Sequence, residues 1–125
     1  PDYVIKKTNR VSKHHLASIK MYYEGGGKIA MGTDTGTPFN LHGNNAMELA
    51  YMVEAGVAPI DALQASTGNA ADLVRDSERG RIKEGHYADL LIVNGDPVSD
   101  ITMVADKSNH RAVLKYGELA AGSLG

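Results

Sequence analysis

The chain has 125 residues, 42% of them apolar, with 13 Lys and Arg against 15 Asp and Glu for a formal net charge of −2. That length supports one domain with a real core, and the scattered Lys and Arg form no basic stripe of the kind that nucleic acid selects. No apolar run approaches the roughly eighteen residues of a membrane-spanning helix, and no cysteine is present to form a disulfide or a thiolate ligand.

The chain opens on Pro1 rather than Met, so an upstream part, with any signal peptide, is expected to be missing. Lack of cysteine leaves the compartment open; the cytoplasm is the expectation. Residues Pro1 to Lys7 alternate and are partly β-branched, which reads as the end of an upstream loop. Thr8, Asn9 and Ser12 offer alternative caps for a helix over Val11 to Glu24. Along it Leu16, Ile19 and Tyr22 or Tyr23 recur at helical spacing. His14 and His15 lie in that helix about 100° apart, so they do not face one ion together. The zinc-binding i,i+4 pair is missing there; surface or packing roles suit both.

Gly25-Gly26-Gly27 stops the helix, and Lys28 to Met31 follows as a short apolar run that predicts a buried strand. Gly32-Thr33-Asp34 ends it. A carboxylate at the C-terminal tip of a buried strand stands where α/β folds place reacting groups, although an Asp there also closes turns. The loop from Thr35 to Asn45 is rich in Gly, Pro, Asn and Thr and holds His42, so it suits the wall of a site. Gly36 and Gly43 read as positions where the backbone needs freedom.

Asn44 or Asn45 is expected to cap a helix running to Glu54 or Ala55 and ended by Gly56. Glu48 falls in its first turn, where the helix dipole favours an acid. Pro59 suits the first turn of the next helix, which runs to Ser66. Thr67-Gly68-Asn69 then breaks the chain, with Asn69 as the cap of a short helix through Val74. Arg75 to Glu84 is charged and reads as an exposed linker. Leu90 to Val93 is a continuous apolar strand closed by Asn94-Gly95-Asp96-Pro97, and Arg111 to Tyr116 is a second strand. His86 and His110 are expected to face solvent, and Ala120 to Gly125 to form a loose tail.

The series Met31-Gly32-Thr33-Asp34-Thr35-Gly36-Thr37-Pro38, then His42-Gly43-x-Asn45-x-x-Glu48-Leu49, resembles the end of the barrel in metal-dependent amidohydrolases, nearest the imidazolonepropionase-like and Xaa-Pro dipeptidase-like branch. Met52-Val53-Glu54-Ala55-Gly56, Ala62-Leu63-x-Ala65-x-Thr67-x-Asn69-Ala70-Ala71 and Gly85-x-x-Ala88-Asp89-Leu90 continue it in order, from about Gly27 to Glu118. The resemblance implies an α/β fold that is incomplete as given. Residues 1–79 would be the last helix-strand-helix units of a (β/α)8 barrel, and residues 80–125 the C-terminal strands of the small flanking β-sandwich.

It further implies that Asp34 is both a metal ligand and the catalytic proton carrier, and that His42 and Gly43 lie at the substrate. The metal implied is divalent, zinc foremost, as one or two ions with most ligands outside this chain. The reaction implied is hydrolysis of the C–N bond of a small amide, a dipeptide such as Xaa-Pro. Hydrolysis of a cyclic amide or imide, or of an organophosphate ester, leaves the same pattern, and a non-catalytic folded module is the remaining alternative. By itself the chain is expected to be inert and to associate with itself or with the rest of the enzyme, and to bind neither nucleic acid nor membrane.

Overall fold

The computed structural model describes residues 2–38 and 40–125, so Pro1, expected in an upstream loop, and Phe39 in the loop after Asp34 lie outside the described residues. Four helices precede a small sheet: α1 (Asp2–Glu24), α2 (Met47–Glu54), α3 (Pro59–Ser66) and α4 (Gly68–Leu73), then β1 (Leu90–Val93), β2 (His110–Lys115) and β3 (Glu118–Gly122). The strands form one antiparallel sheet in the order β1-β2-β3, with Leu91 opposite Val113 and Val113 opposite Ala121.

Helix α1 starts at Asp2, well before the expected Val11, and the positions of Thr8, Asn9 and Ser12 lie inside it rather than at its cap. No proline or glycine interrupts residues 2–24, so nothing in the backbone opposes extending the helix. The side chains described from Asp2 to Ser18 are exposed. Only the last turns reach the body, where Ile19 and Tyr23 pack against the core. The Tyr23 hydroxyl donates to Asp61 on α3, which pushes the phenol's pKa up, and it accepts from the Ala58 N–H at 3.4 Å.

The helices stop as the glycines predict. The N–H groups of Gly26 and Gly27 return to the carbonyls of Tyr23 and Tyr22, and those of Gly56 and Val57 to Val53 and Met52. This paired closure needs a left-handed residue, supplied by Gly26 at φ +80° and Gly56 at φ +101°. Helix α2 has Ala46 as its N-cap, without a side-chain bond, so neither Asn44 nor Asn45 caps it. Asn44 instead accepts from Lys107 Nζ at 3.3 Å, and Asn45 uses its main-chain carbonyl toward Glu48.

The buried core is small: Leu49, Met52, Val57, Ala62, Ala65 and Ile101. Ile101 lies in a 3-10 turn (Ile101–Val104) between β1 and β2, so the sheet's own connection plugs into the helical layer. His110 is half-buried, and its Nε2 donates to Val104 O at 2.9 Å; the expected solvent-facing histidine braces this turn. His86 is half-buried as well. Half of the expected loose tail, Ala120 to Gly122, belongs to β3, which pairs with β2, and residues 123–125 lie beyond the strand.

The segment from Arg75 to Glu84 is no free linker. Arg79 donates to Asp76 at 2.9 Å, to Asp89 at 3.0 Å and to the Tyr116 hydroxyl at 3.1 Å. Its guanidinium also stacks over Tyr87 at 4.3 Å, and the Tyr87 and Tyr116 rings meet edge to face at 5.1 Å. Asp89 accepts the Tyr116 N–H at 2.8 Å. That bond, with Arg79 beside it, holds the Asp89 carboxyl below its usual pKa. Most of the stretch is exposed, as its charge predicts, but Arg79 is half-buried and fastens it to Asp89 and Tyr116.

Candidate functional site

Lys28 to Met31 was expected to be a strand, and in this chain it is not one. A strand exists through its ladder, and among the described residues no strand lies beside this segment. Its peptide groups are taken by helices: Met31 N donates to Ala65 O at 2.9 Å, and Ile29 O accepts from Asn69 Nδ2 at 2.8 Å. Asn69 lies inside α4, with Thr67 at the cap position. Its expected capping role gives way to a tie across 40 residues of chain. Lys28 Nζ reaches Asp72 on α4 at 2.6 Å, and Arg81 grips the same carboxylate through two bonds of 2.9 Å. Paired by two cations, the Asp72 carboxyl titrates far below its usual range.

At the end of this segment the chain folds into a closed loop. Asn40 Nδ2 donates to Thr33 O, and Gly36 N to Asn40 O at 2.9 Å. The Thr33 and Thr35 hydroxyls bond to each other. Thr37 donates to Asp34 O from its hydroxyl at 3.0 Å and from its N–H at 3.4 Å. Asp34 sits in the left-handed region at φ +50°, which Asp tolerates better than most residues. The carbonyls of Thr33 and Asp34 are thus both occupied by the loop, while the Asp34 side chain is exposed. No described donor bonds to its carboxylate. Asp34 thus opens a turn through its carbonyl and leaves its carboxylate open to solvent.

His42 is exposed but lies against the same loop. A side chain added at Gly36 would meet His42 Nε2 at 3.2 Å, and Gly36 has φ +100°. Gly43, at φ +84°, faces Lys107 Nζ in the same way, at 3.6 Å. The structure therefore brings the Nε2 edge of His42 against Gly36 in the loop that begins at Asp34. His14 and His15 are exposed on α1.

Among the described residues no group of three or more His, Cys, Asp and Glu is arranged to hold a metal. Asp34 fits such a centre as one donor, an unpaired oxygen ligand on a fixed backbone. A catalytic site typically takes about three protein ligands, and the described residues do not supply three together.

Helices carrying an internal segment that ends in a pinned, solvent-facing acid, followed by a small antiparallel sheet, define a mixed α/β protein with a polar site at that segment's tip. The chain belongs to the amidohydrolase family, whose profile matches residues 4–120. It is 31% identical to the ochratoxinase of Aspergillus niger over 119 residues, covering 93% of this chain and 24% of that protein. It is 36% identical to the imidazolonepropionase of Pyrobaculum arsenaticum over 91 residues, covering 72% and 23%. In fold it matches the crystal structure of a Xaa-Pro dipeptidase with methionine bound in its active site, with a TM-score of 0.84 and 37% identity over 98% of this chain and 29% of that one. The chain thus spans about a quarter of the length of the curated relatives it matches.

Asn69, Asn40 and Arg79 are the residues that sequence reasoning missed or misassigned. Their partners lie across the fold or across a loop, and no local pattern marks them. Only the ordered motif that includes Asn69 hinted that it does more than cap.

Proposed function

We propose that the chain is part of a metal-dependent hydrolase that cleaves the C–N bond of a small amide, most simply a dipeptide of the Xaa-Pro kind. Residues 1–79 would contribute the last units of a (β/α)8 barrel, with Lys28 to Met31 as one of its strands, and residues 80–125 the strands of a flanking sandwich. Family membership and the likeness to a Xaa-Pro dipeptidase support this reading. The observation that carries it is the unpaired carboxylate of Asp34 on a backbone fixed at both neighbouring carbonyls.

Asp34 would hold a divalent ion, zinc by preference, together with ligands from outside this chain. When bound, such an ion makes water acidic enough to attack at neutral pH and polarises the substrate carbonyl. Asp34 then accepts the attacking water's proton on a carboxylate oxygen and returns it to the departing nitrogen. His42 would donate a hydrogen bond to the substrate's carbonyl or carboxylate oxygen, with Gly43 letting the backbone approach.

Replacing Asp34 by Asn in the full-length protein tests this reading. The change is nearly isosteric but leaves no group to take the proton, so kcat should fall by about 10²–10⁴-fold with the melting temperature kept. Near-normal kcat with full metal content would falsify the assignment.

A further inference from the structure

We propose that Asn69 is a positioning residue for Asp34, holding the segment behind it at the height the site requires. The inference rests on the role proposed for Asp34 above. In a parallel ladder, one residue of a neighbouring strand donates to a carbonyl and accepts from the N–H two residues further on. Here Asn69 Nδ2 is that donor, at 2.8 Å from Ile29 O, and Ala65 O is that acceptor, at 2.9 Å from Met31 N. A side-chain amide and a helix carbonyl thus occupy the positions of one strand residue.

Two further observations point to the same bracket. Lys28, at the base of the segment, is tied to Asp72 on the same helix as Asn69. That pair is largely exposed, at 61% and 39% of the two side chains, so solvent screens it; the half-buried Asn69 amide is the firmer hold. Gly68, buried just before Asn69, leaves room for the Arg81 guanidinium, which a side chain there would approach to 3.3 Å. The bracket is therefore closed from outside by Arg81. On the other side of Met31 only Gly32 separates it from Thr33, whose carbonyl Asn40 holds. Asp34 is fixed from behind by Asn69 and Ala65 and from in front by the loop.

A displacement of about 1 Å at a reacting group costs on the order of 100-fold in rate. Asn69→Ala in the full-length protein should lower kcat about 10- to 100-fold on that scale, with KM changed by less than about twofold and bound metal retained. Asn69→Asp is the sharper variant. Ionised, it offers Ile29 O only repulsion; protonated, its hydroxyl donates to that carbonyl. Its kcat relative to wild type should rise as pH falls through the titration of that carboxyl, while the Asn69→Ala ratio stays flat. Asp89→Ala, which loosens the Arg79 clamp instead, serves as a control for melting temperature and should keep kcat.

If Asn69→Ala retains kcat, or loses no more than a control equally destabilised, Asn69 is a structural tie alone. The same holds if the Asn69→Asp ratio is independent of pH, and that measurement decides the matter should Asn69→Ala not fold. Asp34→Asn assayed alongside separates the two ideas. Normal turnover by that variant removes the role of Asp34 itself. An inactive Asp34→Asn beside a fully active Asn69→Ala overturns only the positioning role.

Discussion

Asp34 and His42 owe their placement to the loop more than to the secondary structure around them. Thr37, Asn40 and Gly36 close the loop on itself, so the carboxylate and the imidazole extend from a braced turn rather than from a free one. Preorganisation of this kind matters because a site that must first order itself spends binding energy on its own loop. For His42 the expected consequence is specific. In the full-length enzyme His42→Ala should raise KM or lower kcat/KM by about tenfold, the usual scale for losing one hydrogen bond to a charged or polarised group, with metal content unchanged. Unaltered kinetics on every accepted substrate would reduce His42 to a residue that rests against Gly36.

At the scale of elements, three helices end with the same paired closure, but only two of them use glycine. After α4 the N–H groups of Arg75 and Asp76 return to Asp72 and Ala71, with Arg75 in the left-handed region at φ +60°. A side chain there carries a steric cost of roughly 1 kcal/mol that glycine avoids. Arg75→Gly should therefore stabilise the protein by up to about 1 kcal/mol, read as a higher midpoint in denaturant with an unchanged slope. Arg75 is exposed, and a fall in stability would mean that its side chain does more than its surroundings indicate. The Arg79 clamp serves the next junction, fastening the segment before β1 to the turn between β2 and β3. The closure after α4 fixes the end of the helix that carries Asn69 and Asp72, the residues that hold Lys28 and Ile29.

For the whole molecule the notable feature is how much apolar surface remains open. A groove of about 580 Å³ lies between α1, the 28–32 segment and α2, lined by Ile19, Tyr22, Ala30, Met31, Met52 and Glu48. Tyr3 and Met21 on α1 are more than two-thirds exposed. The sheet carries apolar residues on both faces, Leu90, Ile92 and Leu114 on one and Leu91 and Val113 on the other, and among the described residues no further strand pairs with its outer strands β1 and β3. Contiguous apolar surface and open edges favour association. The 125-residue chain is accordingly expected to self-associate at micromolar concentration. Sedimentation velocity checks this, and a single monomeric species across that range would count against it.

The sequence alone determined the order of helices after Gly27, the glycine stops of α1 and α2, and strands β1 and β2. These depend on contacts within a few positions, where turn chemistry, spacing and an ordered motif are sufficient. Tertiary structure decided the rest. It turned Arg75 to Glu84 from a linker into a clamp and His110 from a surface residue into a brace. It changed Asn69 from a cap into a tie, because each of these side chains finds its partner across the fold. It also withheld strand character from Lys28 to Met31: an apolar run states that a segment prefers burial, but a ladder requires a second strand, and among the described residues none lies alongside.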